Sequence, residues 1–202
     1  MPDAPRAMQL LDAGHHPQAP AFSHPDHTPD DALLLDRLRC ELRAALDAPP
    51  APSGDRRLFV IQPGALRKIR PLAFVGFRGE RRPGAPPSVV EAVERADAEL
   101  VRQLSAGPDL LGYACARLPD GNWINLVLLP DPSATAAWHR HDLHRQVSAQ
   151  LSPLYYASVR LHGGLLPQGL QGPLQVTSTK YYDFTAGEPW RAQRHFGAAP
   201  AH

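Results

Sequence analysis

Two short stretches of this chain are apolar at almost every position, Leu72-Ala73-Phe74-Val75-Gly76-Phe77 and Trp123–Leu129. Side chains alternate between the two faces of a strand, so a sheet with one wet face would show polar residues at every second position. Here Val75 and Phe77 are as apolar as Phe74, and Val127 and Leu129 match Leu126 and Leu128. Both faces of the sheet these strands build must therefore be covered.

The surrounding signals predict how the strands connect. Asp120-Gly121, within Pro119-Asp120-Gly121-Asn122, predicts a tight turn pairing Leu110–Leu118 antiparallel with Trp123–Leu129, because glycine accepts the positive φ of such turns. Asp131-Pro132-Ser133 predicts a helix start, with the helix running to Gln150 or Leu151 before Pro153. The strand Tyr156–His162 follows and stops at Gly163-Gly164. Upstream, Leu58–Ile61 reads as a strand, and Ser88-Val89-Val90-Glu91 has the form of a capping box. It opens a helix carrying Val89, Val93, Ala96, Leu100 and Leu104 on one side and ending at Gly107-Pro108.

From Leu72 to His162 the order is strand, helix, strand, strand, helix, strand, the β-α-β-β-α-β unit of ferredoxin-like α+β folds. Two helices of that topology cover one face of a four-stranded sheet. A second subunit is expected to cover the other, giving a homodimeric α/β barrel. Leu174–Phe184 reads as an extra strand reaching toward that partner.

The chain of 202 residues divides into four expected parts. Residues 1–27, with His15, His16, His24, His27 and several prolines, read as a flexible tail. Residues 28–54 hold an amphipathic helix and a proline-rich linker, Pro49–Gly54. The helix begins at Thr28-Pro29-Asp30-Asp31 and carries Leu34, Leu35, Leu38, Leu42, Ala45 and Leu46 as a stripe that docks on its own domain. Residues 55–184 form the barrel domain, and residues 185–202 a C-terminal tail.

A net charge of +1, from 21 basic and 20 acidic residues, supplies no global field for nucleic acid or an anionic membrane. No run approaches the roughly 20 apolar residues of a membrane span. Cys40 and Cys115 lack motif spacing, which suits reduced thiols and a cytoplasmic location.

The element order, the Gly121-Asn122-Trp123 hairpin and Trp138 in the second helix resemble the dimeric α/β barrel superfamily, which includes the antibiotic-biosynthesis monooxygenase-like proteins. That resemblance implies cofactor-free oxidation of small aromatic compounds, haem degradation, lyase chemistry or a stress response. The haem-degrading branch has a tryptophan late in the strand and a histidine far along the helix, where this chain has Leu129 and Ser148. No cofactor is therefore expected, with haem or a metal ion as the alternative.

Alternation in Tyr156–His162 places Tyr156, Ser158, Arg160 and His162 on one face, expected to look into the barrel interior beside Asn125. His162 is the expected general acid or base and Arg160 the fork that orients an anionic or carbonyl oxygen. Tyr156, Ser158 and Asn125 are the expected substrate contacts. The plainer reading is a polar edge strand in which Arg160 and His162 are solvated or structurally paired. In His139-Arg140-His141-Asp142-Leu143-His144, His141 and His144 share a helix face at ligand-compatible spacing. Two ligands are not a metal site, and a solvated histidine-rich helix is the alternative. Trp123 and Trp138 are read as packing residues. The expected function is a small-molecule enzyme of the cofactor-free monooxygenase or lyase kind; the alternative is a non-catalytic ligand-binding or stress-related barrel.

Overall fold

The computed structural model describes residues 8–12, 14, 18–48, 54–107, 109–135 and 142–197. Eight strands among them form one mixed sheet: β1 (Gln9–Leu11), β2 (Arg56–Val60), β3 (Leu72–Arg81), β4 (Gly112–Arg117), β5 (Trp123–Leu129), β6 (Tyr156–Leu166), β7 (Gln175–Asp183) and β8 (Trp190–His195). Their spatial order is β1-β8-β7-β6-β3-β5-β4-β2. Every neighbouring pair is antiparallel except β1 with β8. The helices are α1 (His27–Ala45), α2 (Pro63–Lys68), α3 (Pro87–Ser105) and α4 (Asp142–Gln146). From α4 the chain passes through a π-helical stretch, Val147–Leu151, into α5 (Ser152–Tyr155). None of the described helices is long and apolar enough to cross a membrane.

From β3 to β6 the elements follow the expected order, but those four strands are only the middle of a larger sheet. The ferredoxin-like fold class completed by a second subunit is therefore corrected to a single eight-stranded sheet with helices on both faces. The cause lies in α1. Leu35, Leu38 and Leu42 are buried at four residues or fewer apart and pack against Phe74, Ile124, Leu126 and Leu128. This is the face that a partner was expected to cover. Gly76 lets the helix come close, since a Cβ there would lie 2.4 Å from Leu35 Cδ1. On the opposite face Ala73, Val127, Leu129, Tyr113 and Cys115 form a second core with Val101 of α3. The two apolar faces read from the sequence are real, and one chain covers both.

The expected tails are corrected too. Gln9–Leu11 lies within the first and Trp190–His195 within the last, and these segments pair with each other as β1 and β8. Leu11, Tyr181 and Ala192 make a third small core, joined by Phe22 and Trp190. The strand expected over Leu174–Phe184 is β7; it pairs with β6 and β8 of its own chain. In the β4–β5 turn Gly121 has φ +81°, as the Asp-Gly signal required, and its N–H donates to Leu118 O at 2.8 Å.

Candidate functional site

The five expected site residues divide between the two faces of the sheet. Arg78 pairs with Arg160 and Gly76 with His162 on the face under α1. A register shift between Glu80 and Arg81 then pairs Arg81 with Tyr156, breaking the alternation. Tyr156 consequently lies on the far face with Phe77, ring centroids 5.2 Å apart, where its ring crosses Gly79. A Cβ on Gly79 would come within 2.4 Å of Tyr156 Cε1, so the glycine makes room for the ring. Asn125, level with Phe77 in the register, is on that far face as well. One polar face of Tyr156, Ser158, Arg160, His162 and Asn125 does not exist.

On the α1 face Arg160 and His162 are 6% and 0% exposed. Arg160 donates to both carboxylate oxygens of Asp31, from Nε to Oδ2 at 2.6 Å and from Nη2 to Oδ1 at 3.1 Å. Its Nη1 donates to Phe22 O at 3.2 Å. The His162 ring bridges Asp31 Oδ2 (3.0 Å from Nε2) and Thr179 Oγ1 (2.8 Å from Nδ1). With a proton on Nε2 the ring donates to Asp31. Ser158 donates to Glu80 Oε2 at 2.8 Å.

Thr179, His162 and Asp31 thus follow the order of a nucleophile, base and orienting acid, but Thr179 is 0% exposed and lies beneath the same cover. A hollow along Leu161–Leu165 and Thr177–Lys180 borders His162 from the other side of the sheet. The imidazole contacts on the α1 side keep its ring turned away. His162 and Arg160 stand in the structural pairing weighed beside the catalytic assignment: through Asp31 they tie β6 to the N-terminal part of α1.

Burial alone would raise the carboxyl of Asp31, yet the hydrogen bonds from His162 and Arg160 outweigh it and hold the group at about 2. Because the folded value lies below the ordinary 3.8, this carboxylate contributes stability above about pH 4 that is lost as pH falls toward 2. Unfolding free energy measured in urea from pH 5 to pH 2 should fall across that window. The fall should be shallower for Asp31→Asn; equal slopes would refute the assignment.

The other face holds a cavity of about 170 Å³ between the sheet and the helices α3 to α5. Val75, Phe77, Val127 and Leu161 make its floor, and Tyr155 and Tyr156 stand at one wall, rings edge to face at 4.7 Å. Asp97 of α3, which also lines the cavity, accepts a hydrogen bond from the Tyr113 hydroxyl at 3.1 Å and pairs with Arg57 Nη2 at 2.6 Å. The Arg57 guanidinium lies 5.6 Å over the Trp123 ring. Burial, reinforced by the Asp97 charge, pushes the Tyr113 phenol well up, and burial does the same to Tyr156. Both remain protonated donors at neutral pH.

Tyr156 and Asn125 line this cavity, as do His144 and Ser148. His141, Trp138 and the N-terminal pair His15-His16 lie outside the described residues. Among the described residues, no group of three or more His, Cys, Asp or Glu side chains converges to hold a metal ion. Asp31, Arg57 and Asp97 were not anticipated as site residues. Asp97 left a signal: it falls four residues from both Val93 and Val101, a lone acid set into an apolar helix stripe.

No family model and no curated protein matches the chain, so the barrel-superfamily resemblance gains no support. The crystal structure of protein SO0527 from Shewanella oneidensis is similar over 55% of this chain and 97% of that one, at 14% identity and a TM-score of 0.41. A likeness this slight carries neither fold nor function across.

Proposed function

We propose that this protein binds a small organic molecule built on a single aromatic or similarly flat ring, held between the sheet and α3. The observation that carries the reading is the cavity itself, apolar across its floor and walled by Tyr155 and Tyr156. Small-molecule sites commonly combine such surfaces with a few polar groups. Size sets the ligand class, because an apolar cavity of about 150 Å³ accepts benzene. The 170 Å³ here suits one substituted ring rather than a fused system. Edge-to-face and stacked contacts with such a ring are worth about 0.5–1.5 kcal/mol each beyond the area they bury. Turnover through His162 and Arg160 has no support, since the sheet separates them from this space.

Filling the cavity tests the reading. Val75→Phe places a ring where the ligand would lie, and saturation-transfer NMR with toluene and p-cresol should show binding to the native chain that weakens at least about tenfold in the variant. Apolar burial in the void should offset much of the usual overpacking cost of about 1–3 kcal/mol, leaving the melting temperature within a few degrees. Equal signals from both proteins, or none from the native chain at millimolar probe, would refute it.

A further inference from the structure

We propose that Asn125 is the polar recognition group of this pocket, and that the ligand is an uncharged flat ring presenting a hydrogen-bond donor and acceptor side by side, as a lactam or cyclic amide does. This rests on the pocket reading above and names what the pocket selects.

The register places Leu161, Phe77, Asn125 and Cys115 in one row across β6, β3, β5 and β4. Along β5 the cavity face carries Trp123, Asn125, Val127 and Leu129, so Asn125 is an amide set among apolar groups. Asparagine is a poor strand former. Among the described residues its side chain has no hydrogen-bond partner. A carboxamide offers two donors and one acceptor oxygen from a single plane, and Asn125 is half-buried, so its amide stands open for a ligand in the cavity to pair. A cyclic amide edge satisfies it in a matched pair: its N–H donates to the Asn125 oxygen, and its carbonyl accepts from the Asn125 nitrogen.

The charge balance favours a neutral ligand. Arg57 and Asp97 already neutralise each other at 2.6 Å, and Tyr113 takes the second oxygen of Asp97. A charged ring would enter without a committed counter-ion and lose hydration. Glu94 also borders the cavity, at its solvent-exposed side, where water screens it.

The test compares 2-pyridone, benzene and benzoate, rings of similar size, by calorimetry or NMR titration on the full chain and on Asn125→Leu. The native protein should bind 2-pyridone at least about tenfold more tightly than benzene, and Asn125→Leu should abolish or invert that preference while keeping benzene. Retained benzene binding also shows that the variant folds, and its melting temperature should equal or exceed that of the native chain. If 2-pyridone and benzene bind alike to both proteins, the role of Asn125 is refuted and the pocket reading stands. Benzoate as the tightest probe would move recognition to Arg57 and overturn the neutral-ligand inference. No binding of any probe would remove the pocket reading and this inference together.

Discussion

Asp31→Ala is expected to destabilise the fold by about 3–5 kcal/mol, the usual cost of removing one partner from a buried ion pair. The carboxylate is 3% exposed and accepts from Arg160 and His162 together. Without it a guanidinium 6% exposed keeps its charge, with Phe22 O at 3.2 Å and Glu80 at 3.9 Å as its remaining partners among the described residues. Arginine cannot neutralise itself by losing a proton. The imidazole also loses its Nε2 acceptor. Urea unfolding at pH 7 measures the loss, and a change below about 1 kcal/mol would show that the cluster is not a structural tie. A triple replacement of Asp31, Arg160 and His162 by apolar residues of similar volume should recover most of it, because well-packed apolar groups often match or exceed buried ion pairs. The two results together separate stranded charge from lost packing.

Removing residues 1–46 should have the larger effect. Leu35, Leu38 and Leu42 are each at most 2% exposed, and full burial of such a side chain is worth about 1.5–3 kcal/mol. Together they contribute roughly 5–9 kcal/mol, comparable with the 5–15 kcal/mol by which a whole domain is stable. The truncated chain would present the apolar face around Phe74, Leu126 and Leu128 to water. Loss of a cooperative thermal transition, with aggregation, is the expected outcome. A truncated protein that stays folded and monomeric would mean that α1 is not the cover. One that folds as a dimer would show that a second copy can replace it.

Much of the local structure was legible. The Asp120-Gly121 turn, the strands at Leu72 and Trp123 and the helix opened at Ser88 follow from turn chemistry and periodicity, which act over a few residues. So did the need to cover both sheet faces. What periodicity cannot convey is which element does the covering: the Leu35–Leu42 stripe fits its own sheet or another surface equally well. In the sequence Asp31 is part of a helix start, and only tertiary contact across 129 residues makes it the partner of Arg160. Tyr156 was misplaced because one bulge at Glu80/Arg81 reverses every inference from alternation beyond it. Short strands at the two ends escaped notice because Gln9–Leu11 has no pattern of its own. It is a strand by virtue of β8.

That last pairing bears on how the molecule is made. Gln9 and Trp190, 181 residues apart, share a side-chain hydrogen bond, and the backbone carbonyls of Asp12, Gly14 and Ser23 accept from Arg194. A chain emerges from the ribosome at about 5–20 residues per second. The leading segment must therefore wait roughly ten to forty seconds before its partner strand exists. Throughout that interval the leucines of α1 can settle on β3, β4 and β5 as these appear, but the outer edge stays unfinished. The inner layers can thus form before β8 is made, and β8 then fastens β1.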